Sequence, residues 1–392
     1  MIIKKYPKKL SALVVATAIL MLNFWAWSLI SPLATKYKSM FELSPLAVSM
    51  LVAAPVLVGS LGRIPIGLLA DRYGGRRIFA VVCLLASVAV GSLMFVNSYD
   101  TLLVAAIGLG VAGASFAAGI PFINAWFPKQ QRGFALGVYA LGNAGTAVSG
   151  LMTPWLSEVF GRQNMFLAVA AMLFVSGLAM WLFGRESPSW RQAKEGNMKR
   201  LLMAIKWELT WKLSLLYGLT FGAFVALGLY LPVLLNQSYG LTPTDASARA
   251  AGFVLLATLM RPVGGWLSDC FSGLVVIRAA CFMLFVLAAF AAMQLELVPF
   301  GTVAYLGLAI MLGIGNGAVF AVIGHRCPPT IIGAVTGVVG AAGGLGGYFP
   351  PLVMGISFQL FGSYTVALGL LAFVSIGLFF SLRRLFGFHT TY

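Results

Sequence analysis

Twelve long apolar runs restrict what this sequence can fold into. They cover roughly residues 11–32, 44–70, 78–97, 102–127, 133–155, 164–184, 213–236, 248–268, 274–295, 301–323, 332–356 and 363–382. A helix needs about 20 mostly apolar residues to cross a bilayer. The runs are continuous rather than alternating, which excludes a β-barrel, the other fold that satisfies backbone hydrogen bonds in lipid. The sequence therefore predicts an all-α integral membrane protein.

The charge content agrees with the bilayer as the main solvent. Charged residues make up 9% of the chain, against about 25% in soluble domains. The net charge of +16 could suit a nucleic-acid-binding protein, but the basic residues cluster in short gaps between apolar runs, which is a topology signal. We therefore expect no nucleic-acid partner. No metal-ligand spacing or disulfide framework is apparent among the four cysteines, and no cofactor is expected: Cys83, Cys270, Cys281 and Cys327.

The distribution of lysine and arginine predicts the orientation in the cell (inner) membrane. With the N-terminus inside, 20 of the 26 basic residues fall on the inner side and four in outer loops. Both termini are then cytoplasmic. The first apolar run, which follows several lysines, could also be a secretory signal peptide. It is longer than the usual 7–15 apolar residues and has no clear cleavage site, so we interpret it as an uncleaved first span.

The chain divides into two related halves. The longest polar stretch, 185–212, predicts a cytoplasmic linker between an N-terminal six-helix lobe, 1–184, and a C-terminal one, 213–392. Arg63 and Arg261 are 198 residues apart, and each is followed by a glycine after four residues and an aspartate after eight. Gly137 and Gly337 are 200 apart. Two parallel, pseudo-symmetric halves are the layout of many secondary transporters.

The two arginines are predicted to lie deep in the membrane. Arg63 precedes Asp71 by eight residues, or ~12 Å of helix, which is close to the middle of a ~30 Å hydrocarbon core. A structural ion pair or a snorkelling side chain is the alternative to a functional role. No aspartate or glutamate lies deep in the apolar runs. Two guanidiniums without a carboxylate favour a small anion, and their planar forks match a planar oxyanion.

Several motifs carry a family resemblance over nearly the whole chain. The stretch GLLADRYGGRR at 67–77 resembles the loop 2–3 signature of the major facilitator superfamily. Four others resemble its nitrate/nitrite porter branch: GSLGRIP at 59–65, GNAG at 142–145, GIGNGAVF at 313–320 and GAAGGLGG at 340–347. The resemblance implies the twelve-helix fold, nitrate and nitrite as substrates, alternating access, and function as a monomer in the lipid bilayer.

The resemblance also assigns site residues. Besides Arg63 and Arg261, it implies contacts to the anion from Asn143, Phe116, Tyr217 and Phe221. Tyr217 and Phe221 share a helix face, although by themselves they would be interpreted as core. Asn143 could instead join helices. The resemblance makes the glycines of helices 5 and 11 pathway residues, whereas close packing is the alternative: Gly142, Gly145, Gly340, Gly343, Gly344 and Gly347.

A charged loop at a helix end can pair in one conformation and release in another. We expect such a latch from Asp71, Arg72, Arg76 and Arg77, with Asp269 as the second copy. The residues after Asp269 are not basic, so the second latch should be weaker.

Transport is favoured over catalysis. The chain has two histidines, His325 and His389, far apart in sequence, and no nucleophile elbow or phosphate loop. A sensor on a transporter scaffold remains an alternative. Because no acid or histidine lies at depth, the simplest mechanism is nitrate/nitrite exchange. A nitrate/proton symporter, or a carrier of another small anion, is the alternative.

Overall fold

The computed structural model is helical throughout its described part, which comprises residues 7–128, 132–190, 197–327 and 332–386. None of these residues lies in a strand. The helices of the first half are α1 Pro7–Trp27, α2 Ala34–Met40, α3 Pro45–Tyr73, α4 Gly75–Ser92, α5 Tyr99–Trp126, α6 Arg132–Ala140, α7 Gly145–Val159 and α8 Arg162–Phe183. Those that follow are α9 Asn197–Lys206, α10 Glu208–Tyr239, α11 Pro243–Phe271, α12 Gly273–Ala292, α13 Thr302–Arg326, α14 Ile332–Gly346, α15 Phe349–Phe361 and α16 Thr365–Phe386.

The predicted spans are present as helices. Within the described ranges, 11 helical stretches are long and apolar enough to cross a membrane. The remaining predicted run, 133–155, lies on α6 and α7, which a 3₁₀ turn at Leu141–Ala144 separates. The eleventh run is also broken, between α14 and α15. The all-α membrane fold is confirmed, with breaks that continuous hydropathy does not reveal.

The repeat seen in the sequence extends to the helix caps. The side chain of Ser44 accepts a hydrogen bond from Ala47 N and is followed by Pro45. Thr242 likewise accepts from Asp245 N and is followed by Pro243. Such caps satisfy backbone donors at a helix start. At their other ends, α3 and α11 stop at Gly74 (φ 94°) and Ser272 (φ 69°). The two arginine-bearing helices therefore start and stop at matched positions.

The two halves also repeat their packing. In the first half α3 packs on α5 and α4 on α8; in the second α11 packs on α13 and α12 on α16. The halves meet where α3 packs against α14 and α15, and where α11 packs against α7. The predicted linker contains α9, and α10 begins at Glu208, earlier than the run predicted from 213. The limits of the lobes stay a prediction.

Hydrogen bonds join the halves near the starts of α3 and α11. Ser49 Oγ lies 2.8 Å from Tyr230 Oη, and Thr244 donates to Glu158 Oε1 at 3.0 Å. Ser31 donates to the carbonyl of Leu229. These contacts lie at the end of the bundle opposite the 67–77 stretch.

Candidate functional site

Arg63 connects the two halves. It lies on α3 and is 3% exposed. Its Nη1 donates to the carbonyl of Gly340 on α14 at 2.9 Å, and its Nε donates to the carbonyl of Gly113 on α5 at 3.5 Å. The side chain is thus held by backbone carbonyls, which leave its full charge in place.

Arg261 is held differently. Its guanidinium carbon lies 4.6 Å from the ring centroid of Phe224 and 5.4 Å from that of Phe221. Its Nε and Nη2 are buried and have no acceptor among the residues that the structure describes. Arg63 also lies 5.4 Å from the Phe221 centroid. The two guanidinium carbons are therefore separated by no more than twice that distance, with Phe221 as their shared contact.

Aromatic rings surround the arginine pair. Phe116 lies 5.7 Å from the Arg63 guanidinium and stacks on Tyr139 at 5.5 Å. Tyr217 stacks on Phe221 at 4.8 Å. Ring faces attract cations without neutralising them, and no carboxylate in the described ranges forms an ion pair with either arginine. The site therefore has a net positive charge and unused hydrogen-bond donors.

Asn143 lies in the 3₁₀ turn of the fifth span and is 1% exposed. Its amide nitrogen donates to the carbonyl of Ala140, within the same turn. The flanking glycines allow this turn to approach α1: a Cβ at Gly142 would meet Leu20, and one at Gly145 would overlap the carbonyl of Met21. Asn143 thus stabilises its own turn in this conformation with one of the two N–H donors of its amide.

The glycines of α14 differ from one another. A Cβ at Gly343 would overlap the ring of Tyr217, one at Gly344 would overlap Ser60 Oγ, and one at Gly347 would lie 2.9 Å from Val225 Cβ. A Cβ at Gly340 would meet nothing within 4 Å, although its carbonyl binds Arg63. Three of the four predicted glycines therefore permit close contact, and Gly340 contributes through its backbone.

The predicted latch residues of the first half contact the end of α8. Arg76 Nη1 donates to the carbonyl of Gly184 at 2.8 Å, and its backbone N–H donates to Glu186 Oε1 at 2.7 Å. Burial raises the pKa of the Glu186 carboxyl, and the bond from Arg76 opposes that effect. Arg72 lies over Tyr73 at 5.3 Å, and Arg77 is exposed. The side chain of Asp71 lies outside the described part.

These groups surround a cavity of about 650 Å³. Its lining residues are Arg72, Tyr73, Arg76, Arg77, Gly184, Arg185, Glu186 and Trp190. In the second half, Asp269 lies 3.5 Å from His325 Nε2, and both side chains are more than half exposed. An exposed pair of this kind contributes little to stability.

The sequence interpretation did not assign two residues that contact the predicted site. Phe224 lies three residues from Phe221, so helical spacing could have revealed it. Tyr139 comes to Phe116 from another helix, which sequence spacing does not show.

The family model described as Major Facilitator Superfamily matches residues 16–351 of this chain. The chain is 44% identical over 363 residues to the "Probable nitrate/nitrite transporter NarK2" of Mycobacterium tuberculosis, covering 92% of each protein. It is 34% identical to the "Nitrite extrusion protein" of Bacillus subtilis, covering 92% of this chain and 90% of the relative. It is 32% identical to the "Probable nitrate/nitrite antiporter NarK1" of Thermus thermophilus, covering 89% of this chain and 85% of the relative.

Solved structures share the fold. A bacterial homologue of the human lysosomal transporter Spinster, in an inward-facing and occupied conformation, aligns with a TM-score of 0.75 at 19% identity, covering 97% of this chain and 98% of the other. The human organic anion transporter MFSD10 aligns with a TM-score of 0.75 at 13% identity, covering 96% and 100%.

The packing of α14 predicts that two glycines respond differently to a methyl group. Gly343→Ala would displace the rings of Tyr217 and Phe221 beside the arginines, and overpacking of this kind costs about 1–3 kcal/mol. We expect nitrate affinity to fall by about tenfold or more. Gly337→Ala is the matched control, because a Cβ there meets nothing within 4 Å. Titration of nitrate into both purified variants checks this; equal affinities would contradict it.

Proposed function

Since this chain belongs to the major facilitator superfamily and falls among its nitrate/nitrite porters, we propose that it is a secondary active transporter that exchanges nitrate for nitrite by alternating access. The names of its relatives support the substrates. The single observation that carries the proposal is the pair of buried guanidiniums at Phe221, which no carboxylate neutralises within the described ranges.

The anion is proposed to bind between the two arginines. Arg261 offers Nε and Nη2, which form one edge of the guanidinium and suit two oxygens of a planar oxyanion. Arg63 would exchange its bond to the Gly340 carbonyl for one to the substrate. The faces of Phe116, Tyr217 and Phe221 would confine a flat anion. Asn143 contributes the second N–H of its amide, which the bond to Ala140 does not use.

Reorientation is proposed as rocking of one half against the other. The hydrogen bonds at Ser49–Tyr230 and Glu158–Thr244 would then break on one side. The glycines Gly142, Gly145, Gly343, Gly344 and Gly347 allow helix backbones to slide at close range. The charged groups at 71–77 and Asp269 act as latches at the other side, the first anchored to Gly184 and Glu186.

Exchange follows from the charges of the empty site. Arginine does not release a proton at working pH, and the described spans hold no aspartate or glutamate near the pair. Closure around two like charges removes the water that screens them. One monovalent anion offsets their repulsion, so only the loaded carrier should reorient. The chain would therefore work as an antiporter in nitrate assimilation or nitrite export.

We further propose that the protein functions as a monomer in the cell (inner) membrane, with both termini and the 185–212 linker in the cytoplasm. The asymmetry of lysine and arginine between the two sides supports this orientation.

Replacement of either site arginine by lysine should nearly abolish transport. Arg63→Lys and Arg261→Lys keep the charge but lose the planar fork of donors. Arg278→Lys near the start of α12, where the guanidinium lies 4.7 Å from the ring centroid of Phe379, is the matched control for an arginine that contacts an aromatic ring outside the site. Nitrate counterflow in liposomes is the measurement. Near wild-type rates in both site variants would exclude planar recognition.

Nitrate uptake should require an anion on the opposite side. In liposomes loaded with nitrite, external labelled nitrate should accumulate, and an imposed pH gradient should change the rate little. Liposomes without internal nitrate or nitrite should take up almost none. Strong uptake into such liposomes under an acid-outside gradient would favour proton symport instead.

The orientation predicts which cysteines can be labelled from outside intact cells. In a chain whose exposed Cys270 is replaced by serine, Ser189→Cys should resist a membrane-impermeant maleimide, since 189 lies in the proposed linker. Asn97→Cys, in the loop between α4 and α5, should react. Ready labelling at 189 would reverse the proposed topology.

A further inference from the structure

Asn316 is a buried amide whose side chain has no partner. It lies on α13, is 2% exposed, and neither its Nδ2 nor its Oδ1 is hydrogen-bonded to any described residue. Asn143, on the 3₁₀ turn of the fifth span, differs in that its side chain donates to the carbonyl of Ala140. Buried polar groups are nearly always satisfied, because an unmade bond costs free energy. Both the donor and the acceptor of the Asn316 amide are therefore available to a ligand.

The contact between α11 and α13 places Asn316 at the level of Arg261. A Cβ at Gly317 would overlap the carbonyl of Arg261 and lie 2.9 Å from Gly265 N. A Cβ at Gly313 would overlap the carbonyl of Ala257. The two helix backbones thus touch on both sides of residue 316.

The internal repeat shows which way position 316 faces. Gly59 and Gly67 of α3 contact Gly113 and Ala117 of α5. In the second half Ala257 and Gly265 contact Gly313 and Gly317. The α3 positions are offset by 198 and the α5 positions by 200.

With that offset, Asn316 is the counterpart of Phe116. Phe116 lies 5.7 Å from the guanidinium of Arg63. By the repeat, position 316 is therefore expected beside Arg261, as Phe116 lies beside Arg63. The Nε and Nη2 of Arg261 also have no acceptor in the described part of the chain.

We infer that Asn316 is a specificity-determining residue that holds the anion against Arg261. This rests on the proposed function. Arginine offers only donors and an oxyanion only acceptors, whereas an amide offers both. Oδ1 accepts a hydrogen bond from Arg261, and Nδ2 donates to one oxygen of the anion. An anion with several oxygens can bind the arginine fork and the amide together, whereas a halide presents a single atom to both. Asn316 thereby selects oxyanions over halides.

The test compares nitrate and chloride affinities of the full chain in lipid nanodiscs. Asn316→Leu removes both the donor and the acceptor of the amide. It should lower the affinity for nitrate by about tenfold or more, as expected for a lost hydrogen bond to a charged group. The affinity for chloride, measured by titration or by displacement of nitrate, should change by less than about threefold. Asn316→Asp puts an acceptor where the anion needs a donor and should abolish nitrate binding, while the thermal unfolding temperature stays near wild type.

Thr210→Val is the matched control. Thr210 is also fully buried, and its hydroxyl has no partner among the described residues, but it lies seven residues before Tyr217, ~10 Å along α10. It should leave both affinities unchanged.

A folded Asn316→Leu variant with wild-type nitrate-to-chloride selectivity would overturn the inference and leave the transporter proposal intact. If Asn316→Leu does not fold, the nearly isosteric Asn316→Asp replaces it as the test. Wild-type nitrate affinity in the Asn316→Asp variant would overturn the inference. A wild-type protein that binds neither nitrate nor nitrite would refute the proposed function and this role with it.

Discussion

The structure depends on two like charges being held close together in a low-dielectric environment. Arg63 and Arg261 lie at the same distance from the Phe221 centroid, and repulsion between them strengthens as water is excluded. Carbonyls and ring faces orient the guanidiniums without neutralising them. A carboxylate would relieve the repulsion permanently. No carboxylate forms an ion pair with either arginine in the described part of the chain, so in the proposed mechanism a mobile anion takes that role and couples binding to closure.

The internal repeat explains how the chain brings these charges to one level. Helices α3 and α11 start at matched Ser-Pro and Thr-Pro caps and stop at residues with positive φ, 198 positions apart. Each arginine is therefore set at the same depth by the same helix length. The halves differ in what surrounds the charges: Phe116 lies beside Arg63 where Asn316 corresponds to it in the second half. Duplication thus repeats the geometry of the two arginines, and the proposed specificity rests on the position at which the two halves differ.

The sequence predicted well what depends on local composition and less well what depends on contacts between helices. The apolar runs and the two arginines follow from hydropathy and charge. The 3₁₀ turn at Asn143 does not, because it arises where Gly142 and Gly145 pack against α1. Likewise Gly340 and Gly343 look equivalent in sequence, yet only Gly343 lies against Tyr217. Tyr139 stacks on Phe116 from the following helix, α6, and a contact between two helices does not follow from residue spacing within one helix.

The central claim is that arginines from both halves hold one anion, and solid-state NMR can test it directly. Protein carrying ¹³C at the arginine Cζ position would be loaded with ¹⁵N-nitrate, and dipolar dephasing between the two labels would be measured. Two arginine carbons should dephase at one equivalent of bound nitrate, with one signal lost when Arg63 is replaced and the other when Arg261 is replaced. Dephasing of a single arginine, or of none while nitrate stays bound, would contradict the account.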